Sequence, residues 1–560
     1  MSRQYLSWSI AQLEAEFERA QDSGDKAAID RIVHELGFRT TPKANSLRHA
    51  IDKFLGGADW SSKKQQDVAN RSSARHEKGR LQPTEEQQQA VDEFQRGGSL
   101  KINAYAGTGK TSTLELLAQS TSRRGQYIAF NRDIVRDAKD KFPNSVNCST
   151  LHGLAFKATP SVYKNSSDKM TKRLVANHLA DMMNLRHWQI DNRHALQPRS
   201  QGYLIIETLR RFMQSADREP AAQHVPRHGS LLTAPDATMR AVIEFALHGA
   251  RHVWGRMQNA NDLMPLGHDG YLKLWALSQP VIAADFILLD EAQDTNPVVL
   301  NVLRKQPAQM VYVGDKYQQI YEWRGAVNAM ERIETDGASY LTMSFRFGST
   351  IAEAASKVLA MLGEKRPLRG SPSVRSRIGH VTPRTILARS NASTVAAIIE
   401  ALDAGQSPHL VGGTDEVMKM LRGVQDLKEG KQSTVPDFFG FDKWEQVVEF
   451  AKSGEGDHLL SFVNLVEQRG ERQLMWALNR VVDEERSDLI ISTAHKAKGR
   501  EWSTVRLMDD FLRSQPKQQE QDKPQPKNGH DPAELRLFYV AMTRAKQAID
   551  IPQNVLSLIG

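Results

Sequence analysis

The stretch Lys101–Leu117, KINAYAGTGKTSTLELL, constrains this chain more than any other. A short apolar lead-in ends at Ala104, a loop with two glycines follows, and a run of helical character begins at Lys110 and Thr111. Gly107 and Gly109 let the backbone curl so that its N–H groups face an anion. The positive end of the following helix adds to that field. Ala106, Gly107, Thr108, Gly109 and Ser112 therefore read as a phosphate cradle. Lys110 is placed for the β- and γ-phosphates and Thr111 for Mg²⁺. Ala104 stands where the strict G-x-x-x-x-G-K-[ST] pattern has its first glycine. The plain alternative is a glycine-rich strand-to-helix turn, and partner motifs must decide between the two.

A chain of 560 residues is too long for one core and predicts several domains. It has no apolar run of ~18 residues and no signal-peptide core, so no membrane span is expected. The single cysteine, Cys148, excludes an internal disulfide framework and predicts a reducing intracellular compartment. A net charge of +8 permits a polyanionic partner without demanding one.

Residues 1–58 predict a separate helical domain, and 59–80 a polar, basic linker. Leu6, Ile10, Leu13 and Phe17 share one helix face; Ile29, Ile32, Val33 and Leu36 share another, stopped by Gly37. Leu47, Ile51, Phe54 and Leu55 make a third stripe before Gly56-Gly57. Arg48, His49 and Lys53 on the third helix offer either a nucleic-acid contact or a solvated face.

From Leu81 the pattern changes to strands alternating with helices, which predicts a parallel sheet with sites at the carboxyl ends of its strands. Gln87, upstream of the loop, has the donor and acceptor that adenine needs. Phe130, Asn131, Thr150 and His152 fall at strand ends, where either a nucleic-acid contact or a structural role is open to them. ADFILLDEAQDTNP ends an apolar strand in Asp290-Glu291: Asp290 suits Mg²⁺, and Glu291 suits polarisation of an attacking water. VGDKYQQIYEWRGA places Gln318 to sense a γ-phosphate. Its Tyr321, Trp323 and Arg324 combine aromatic faces with a cation, the chemistry that stacks single-stranded bases. In LTMSFRFGS, Phe345 can stack on adenine and Arg346 can neutralise charge on the γ-phosphate.

Together these motifs resemble a superfamily 1A helicase, the class of UvrD, PcrA and Rep. The closer likeness is to the F-box DNA helicase family, carried by NAYAGTGKTSTL, IAFNRDIVRDAKDKFP, HDGYLKLW (268–275), DEAQDTNP, VGDKYQQIYEWRGAVNA and LTMSFRFG. The resemblance runs from about Leu81 to the carboxyl end. It implies an α/β fold of two RecA-like parallel-sheet domains, each with an inserted subdomain, beside the small amino-terminal helical domain. On that plan the first RecA-like domain occupies 81–158 and 281–335, around a mainly helical insertion at 159–280. The second occupies 336–393 and 488–560, around a short insertion at 394–487, with a disordered loop at 513–533. It also implies ATP and Mg²⁺ in the cleft, and movement along single-stranded DNA, 3′ to 5′.

By the same resemblance, Arg389 and Asn391 in RTILARSNAS lie near DNA. In DLIISTAHKAKGREWSTVRL, Thr493 and His495 fall on the DNA side and Gly499 and Glu501 on the nucleotide side. In ELRLFYVAMTRAK, Arg544 is a second arginine finger and Tyr539 is mostly packing. No F-box is recognisable, the second insertion is short, and little chain follows Arg544. A ubiquitin-ligase partnership, strong unwinding by a monomer and a carboxyl-terminal accessory domain are therefore not expected. Three readings stand: a helicase acting on single strands and ss/ds junctions in DNA repair, recombination or replication; a translocase that strips recombinase filaments; and an ATP-switched DNA-binding sensor. The partner of the amino-terminal domain is not legible.

Overall fold

The computed structural model describes residues 83–320, 328–453, 456–512 and 530–558, together with Tyr5, Trp8, 10–23, 25–36, Arg39, Ala44, Leu47, Arg48 and Ile51. The chain divides into two units, Met1–Gln82 and Pro83–Gly560.

In the first unit the helices Ile10–Ser23 and Lys26–Leu36 bury Leu13, Phe17, Ile29, Ile32 and Leu36 with Leu47 and Ile51. The apolar spacing of three and four residues produces those faces. Arg48 donates to the carbonyls of Leu36 and Arg39, at the end of the second helix, so its guanidinium serves the small core itself. Leu6, Gly37, His49, Lys53, Phe54, Leu55, Gly56, Gly57 and the linker 59–80 lie outside the described residues.

The second unit carries two six-stranded sheets. Its strands in chain order begin with β1 (Leu100–Ala104), β2 (Gly125–Ala129) and β3 (Val146–Thr150). The ribbon β4 (Trp188–Gln189) with β5 (Ala195–Leu196) follows, then β6 (Phe286–Leu289), β7 (Gln309–Gly314) and β8 (Gly337–Leu341). The first sheet has the order β3-β2-β6-β7-β1-β8 and every pair is parallel. Strands β2 and β6 are buried along their whole length, which is why FILL reads as an unbroken apolar run rather than an alternation.

The remaining strands are β9 (Arg377–Ile378), β10 (Thr385–Ala388), β11 (Pro408–Leu410), β12 (Leu489–Thr493), β13 (Trp502–Leu507) and β14 (Ala545–Asp550). They form the second sheet, also parallel throughout, in the order β11-β12-β10-β13-β14-β9.

Two boundaries differ from the sequence expectation. Strand β8 falls within the stretch expected for the second half, 336–393, but it pairs with β1 from Leu100↔Gly337 to Ala104↔Leu341 and forms the edge of the first sheet. The expected insertion at 394–487 takes in β11 and all but the first turn of helix Asn391–Asp403, yet β11 is the outer strand of the second sheet and pairs with β12. Pairing is a long-range choice that a short apolar run does not announce. Likewise, 532–533 belong to the helix Pro532–Met542, capped by Asp531, rather than to a loop; 513–529 lie outside the described residues.

Between β3 and β6 the chain is helical apart from its ribbon, with long helices at Pro198–Gln214 and Asp236–Gln258. The HDGYLKLW segment lies in the helix Gly267–Leu277, whose Tyr271, Leu272, Trp275 and Ala276 join the core beneath Ile128, Leu289 and Tyr312 of the first sheet. Its Lys273 is wholly buried: the ammonium donates to the carbonyls of Ser215 (2.8 Å) and Asp217 (2.5 Å) and lies 4.3 Å from the Phe212 ring centre. Burial pushes its pKa down to about 8. Within the second half, the helices from Asp415 to Leu478 pack on helix Asn391–Asp403 and the second sheet. The two helical excursions meet where the Ser230 amide donates to the Phe439 carbonyl at 3.0 Å and the Ser230 hydroxyl to that of Gly440 at 3.1 Å.

Candidate nucleotide site between the two sheets

The loop after β1 runs straight into the helix Lys110–Gln119. Gly107 and Gly109 both hold positive φ, +74° and +77°. A Cβ on Gly107 would stand 2.5 Å from Ser344 Oγ and 2.7 Å from Arg346 Cβ, so only glycine fits. The Gly107 carbonyl accepts from the Phe345 amide at 2.8 Å, which brings the SFRFG segment onto the loop. Thr108 is buried with its hydroxyl on the Tyr105 carbonyl; Ser112 is half-buried in the first turn of the helix.

Gln87 belongs to a capping box with Thr84: its amide oxygen accepts from the Thr84 amide at 3.1 Å. Its Nε2 donates to Thr113 Oγ1 at 3.2 Å. One N–H and one lone pair of the side-chain amide therefore remain for a ligand. Gly109 stands between that amide and the Phe345 ring, with a Cβ there 3.5 Å from Gln87 Nε2 and 3.4 Å from Phe345 Cε2. Phe345 is 47% exposed, an unusual degree for a large aromatic side chain and one that leaves a ring face open beside the loop.

Strands β6, β7 and β1 are neighbours, so the groups at their carboxyl ends converge. Asp290 accepts from Thr111 Oγ1 at 3.2 Å and from the Tyr127 hydroxyl at 2.8 Å. Lys110 Nζ lies 3.7 Å from Glu291 Oε1. Glu291 adopts φ +51°, a strained conformation for a non-glycine residue. Burial and the neighbouring Glu291 charge push Asp290 up; burial acts on Glu291 too, but Lys110 and Lys498 hold it ionised. Gln293 joins the strand ends, donating to Glu291 and accepting from the Asp315 amide at 3.1 Å. Gln318 Nε2 donates to Asp315 Oδ2 at 2.8 Å.

The second half supplies cations and struts. Arg346 donates to Glu501 (2.7 Å) and to the Thr543 carbonyl (3.0 Å). Glu501 and Arg544 precede the neighbouring strands β13 and β14, where the Trp502 amide donates to the Arg544 carbonyl at 3.0 Å. Arg544 is buried, donating to the carbonyls of Val540 (2.8 Å) and Arg500 (3.3 Å) and to Thr543 Oγ1 (3.1 Å). Burial and the nearby Arg346 push its pKa down to about 9. Arg346 thus borders the phosphate loop at Gly107, and the charge of Arg544 is felt at Glu291.

Two residues that bind this site together, Lys498 and Tyr539, are not prominent in the sequence. Lys498 donates to Asp294 Oδ2 at 2.5 Å and to the Gln318 carbonyl at 2.6 Å. The Tyr539 hydroxyl accepts from the Ala106 amide at 3.1 Å and donates to Asp315 Oδ2 at 3.1 Å. Tyr539 is therefore more than packing. The signal in the sequence is a phenol within the apolar run Leu537–Met542, since a buried tyrosine hydroxyl requires a partner.

The nucleic-acid candidates sit at other strand ends. Phe130, 65% exposed, and Asn131 follow β2; Thr150 ends β3 and His152 follows it. Asn131 caps the helix Arg132–Lys139 and Thr150 caps Leu151–Ala158. His152 Nε2 lies 3.7 Å from Asp269 of the HDGYLKLW helix. Thr493 ends β12 opposite Ala388 of β10, buried, its hydroxyl accepting from the Lys496 amide at 3.3 Å; His495 lies half-buried in the turn that follows. Asn391 reaches Glu416 at 3.4 Å. Arg389 is held by Glu534 at 2.7 Å, so its cation is committed to an internal pair. Tyr321, Trp323 and Arg324 lie outside the described residues.

Comparison with known proteins agrees with this geometry. Residues 260–335 match the UvrD/REP helicase N-terminal domain, and 416–553 the UvrD-like helicase C-terminal domain. F-box DNA helicase 1 of Gallus gallus is 30% identical over 514 residues, 85% of this chain and 50% of the relative. F-box DNA helicase protein 1 of Schizosaccharomyces pombe is 29% identical over 517 residues, 85% of this chain and 58% of the relative. The chain thus spans about half the length of these relatives. With two parallel sheets, a phosphate loop after β1 and an Asp-Glu pair after β6, the chain matches both the N-terminal and the C-terminal UvrD-like helicase domains.

Proposed function

We propose that the protein is an ATP-dependent DNA helicase or translocase that hydrolyses ATP between its two sheets while moving along single-stranded DNA. The observation that carries the reading is the contact of Lys110 and Thr111 with the Asp290–Glu291 pair, with Arg346 packed against the loop at Gly107. The triphosphate lies in the loop Ala106–Ser112, with Gln87 and Phe345 holding adenine. Thr111 and Asp290, already in contact, are the oxygen donors that would hold a divalent cation. When bound, Mg²⁺ neutralises charge on the β- and γ-phosphates. Glu291, kept ionised by Lys110, accepts the proton of the attacking water. Arg346 leaves Glu501 for the γ-phosphate, and Arg544 meets the same charge from the other side. Gln318 reports the γ-phosphate to the segment that carries Tyr321, Trp323 and Arg324.

The proposed division places the first RecA-like domain on the sheet ending in β8 and the second on the sheet from β9 to β14. Phe130, Asn131, Thr150, His152, Thr493 and His495 contact the strand. Polarity of 3′ to 5′, action at ss/ds junctions and removal of recombinase filaments follow from the family likeness alone and are part of the proposal. So is a DNA-associated intracellular location; among the described residues no helix is long and apolar enough to cross a membrane. Steady-state ATP hydrolysis with and without single-stranded DNA tests the reading, with Lys110→Ala as control. DNA-stimulated turnover that the substitution abolishes is the expected result; absence of turnover under every condition would overturn it.

A further inference from the structure

We infer that Tyr539 is a positioning residue that lets Gln318 leave Asp315 for the γ-phosphate without stranding a buried carboxylate. The inference rests on the ATPase reading above and assigns a role within that site.

Asp315 is 1% exposed at the carboxyl end of β7. Its Oδ1 accepts from the Tyr317 amide at 3.0 Å. Its Oδ2 accepts from two side chains, Gln318 Nε2 at 2.8 Å and Tyr539 OH at 3.1 Å. In this arrangement the Gln318 amide points at a carboxylate and not at the phosphate loop. A glutamine that is to sense a phosphate must give up that bond. Without a second donor, the move would leave Oδ2 buried and unpaired, at the full desolvation cost of a carboxylate oxygen. The Tyr539 hydroxyl supplies the second donor.

The same hydroxyl accepts from the amide of Ala106, so its proton is directed toward Asp315 and its oxygen toward the phosphate loop. Tyr539 is wholly buried, in one apolar core with Tyr105, Ala106 and Tyr317 of the first half and Phe538 and Trp502 of the second. It lies five residues before Arg544, on the helix Pro532–Met542. One phenol therefore touches the loop, the base of the sensor and the helix that leads to an arginine finger. Movement of Gln318 and registration of Arg544 share this one contact.

Tyr539→Phe removes the oxygen and leaves the ring. The test compares four full-length proteins: wild type, Tyr539→Phe, Gln318→Ala and the double variant. ATP turnover is read as kcat and KM with saturating single-stranded DNA, and ADP affinity is read separately. In Tyr539→Phe, kcat is expected to fall about 10-fold while ADP affinity stays within about twofold, because ADP has no γ-phosphate for Gln318 to meet. In the Gln318→Ala background the same substitution is expected to change kcat by less than about twofold, since the two act as a unit. Wild-type kcat in Tyr539→Phe would overturn the inference. So would equal losses with ATP and ADP that add to those of Gln318→Ala, the signature of a purely structural role. A wild type without turnover would fail the ATPase reading instead, so the two failures are distinguishable.

Discussion

Replacing Arg544 by methionine should divide catalysis from stability. The guanidinium is buried in a pocket whose donors end on two carbonyls and a hydroxyl, with Arg346 as a like-charged neighbour. A pKa pushed down from 12.5 to about 9 corresponds to roughly 5 kcal/mol of unfavourable environment for the charge. Against this stand three hydrogen bonds from a charged donor, together worth on the order of 5–9 kcal/mol. The terms offset one another in large part, so Arg544→Met should cost no more than about 4 kcal/mol of unfolding free energy. Turnover should behave differently, because an arginine finger contributes ~10³–10⁵ in rate. Urea unfolding without nucleotide gives the first quantity, and steady-state hydrolysis with saturating single-stranded DNA the second. A non-hydrolysable ATP analogue should also raise the melting temperature of the wild type more than that of the variant, since the anion relieves a charge only the wild type has. Destabilisation beyond ~4 kcal/mol with turnover retained would refute the reasoning and make Arg544 a structural residue.

The remaining predictions address the base pocket and the buried lysine. Gln87→Ala should lower the ratio of kcat/KM for ATP over GTP toward one, while the lost capping box costs only about 1 kcal/mol of stability; an unchanged ratio would remove Gln87 from adenine recognition. Lys273, pushed by burial from 10.5 down to about 8, binds fewer protons folded than unfolded between those values, so its ammonium penalty is present below pH 8 and fades as pH rises toward 10.5. Wild type should therefore gain up to about 3 kcal/mol relative to Lys273→Met between pH 7.5 and 10, measured by urea unfolding. A difference that stays flat with pH would show that Lys273 is solvated.

The nucleotide-facing motifs were legible because each is local. The Gly107-to-Thr111 curl, the apolar run that ends in Asp290-Glu291 and the apolar strand before Asp315 each need only a few consecutive residues to take their shape. The parallel α/β architecture followed from the repeated strand–helix order, because a parallel strand requires a crossover. The helix spacing of Leu13, Phe17, Ile29 and Ile32 likewise contains its own buried face.

What the sequence left open depended on contacts between distant segments. Nothing near Gly337 says that β8 will pair with β1 rather than enter the next sheet, because both sheets accept the same kind of strand. Arg389 carries the chemistry of a DNA contact until Glu534, 145 residues away, is folded against it. Tyr539 meets the phosphate loop across 433 residues of chain. Local pattern determines what a residue is able to do, and tertiary packing decides which partner it meets. A buried phenol, carboxylate or guanidinium must find a hydrogen-bond partner wherever the fold provides one.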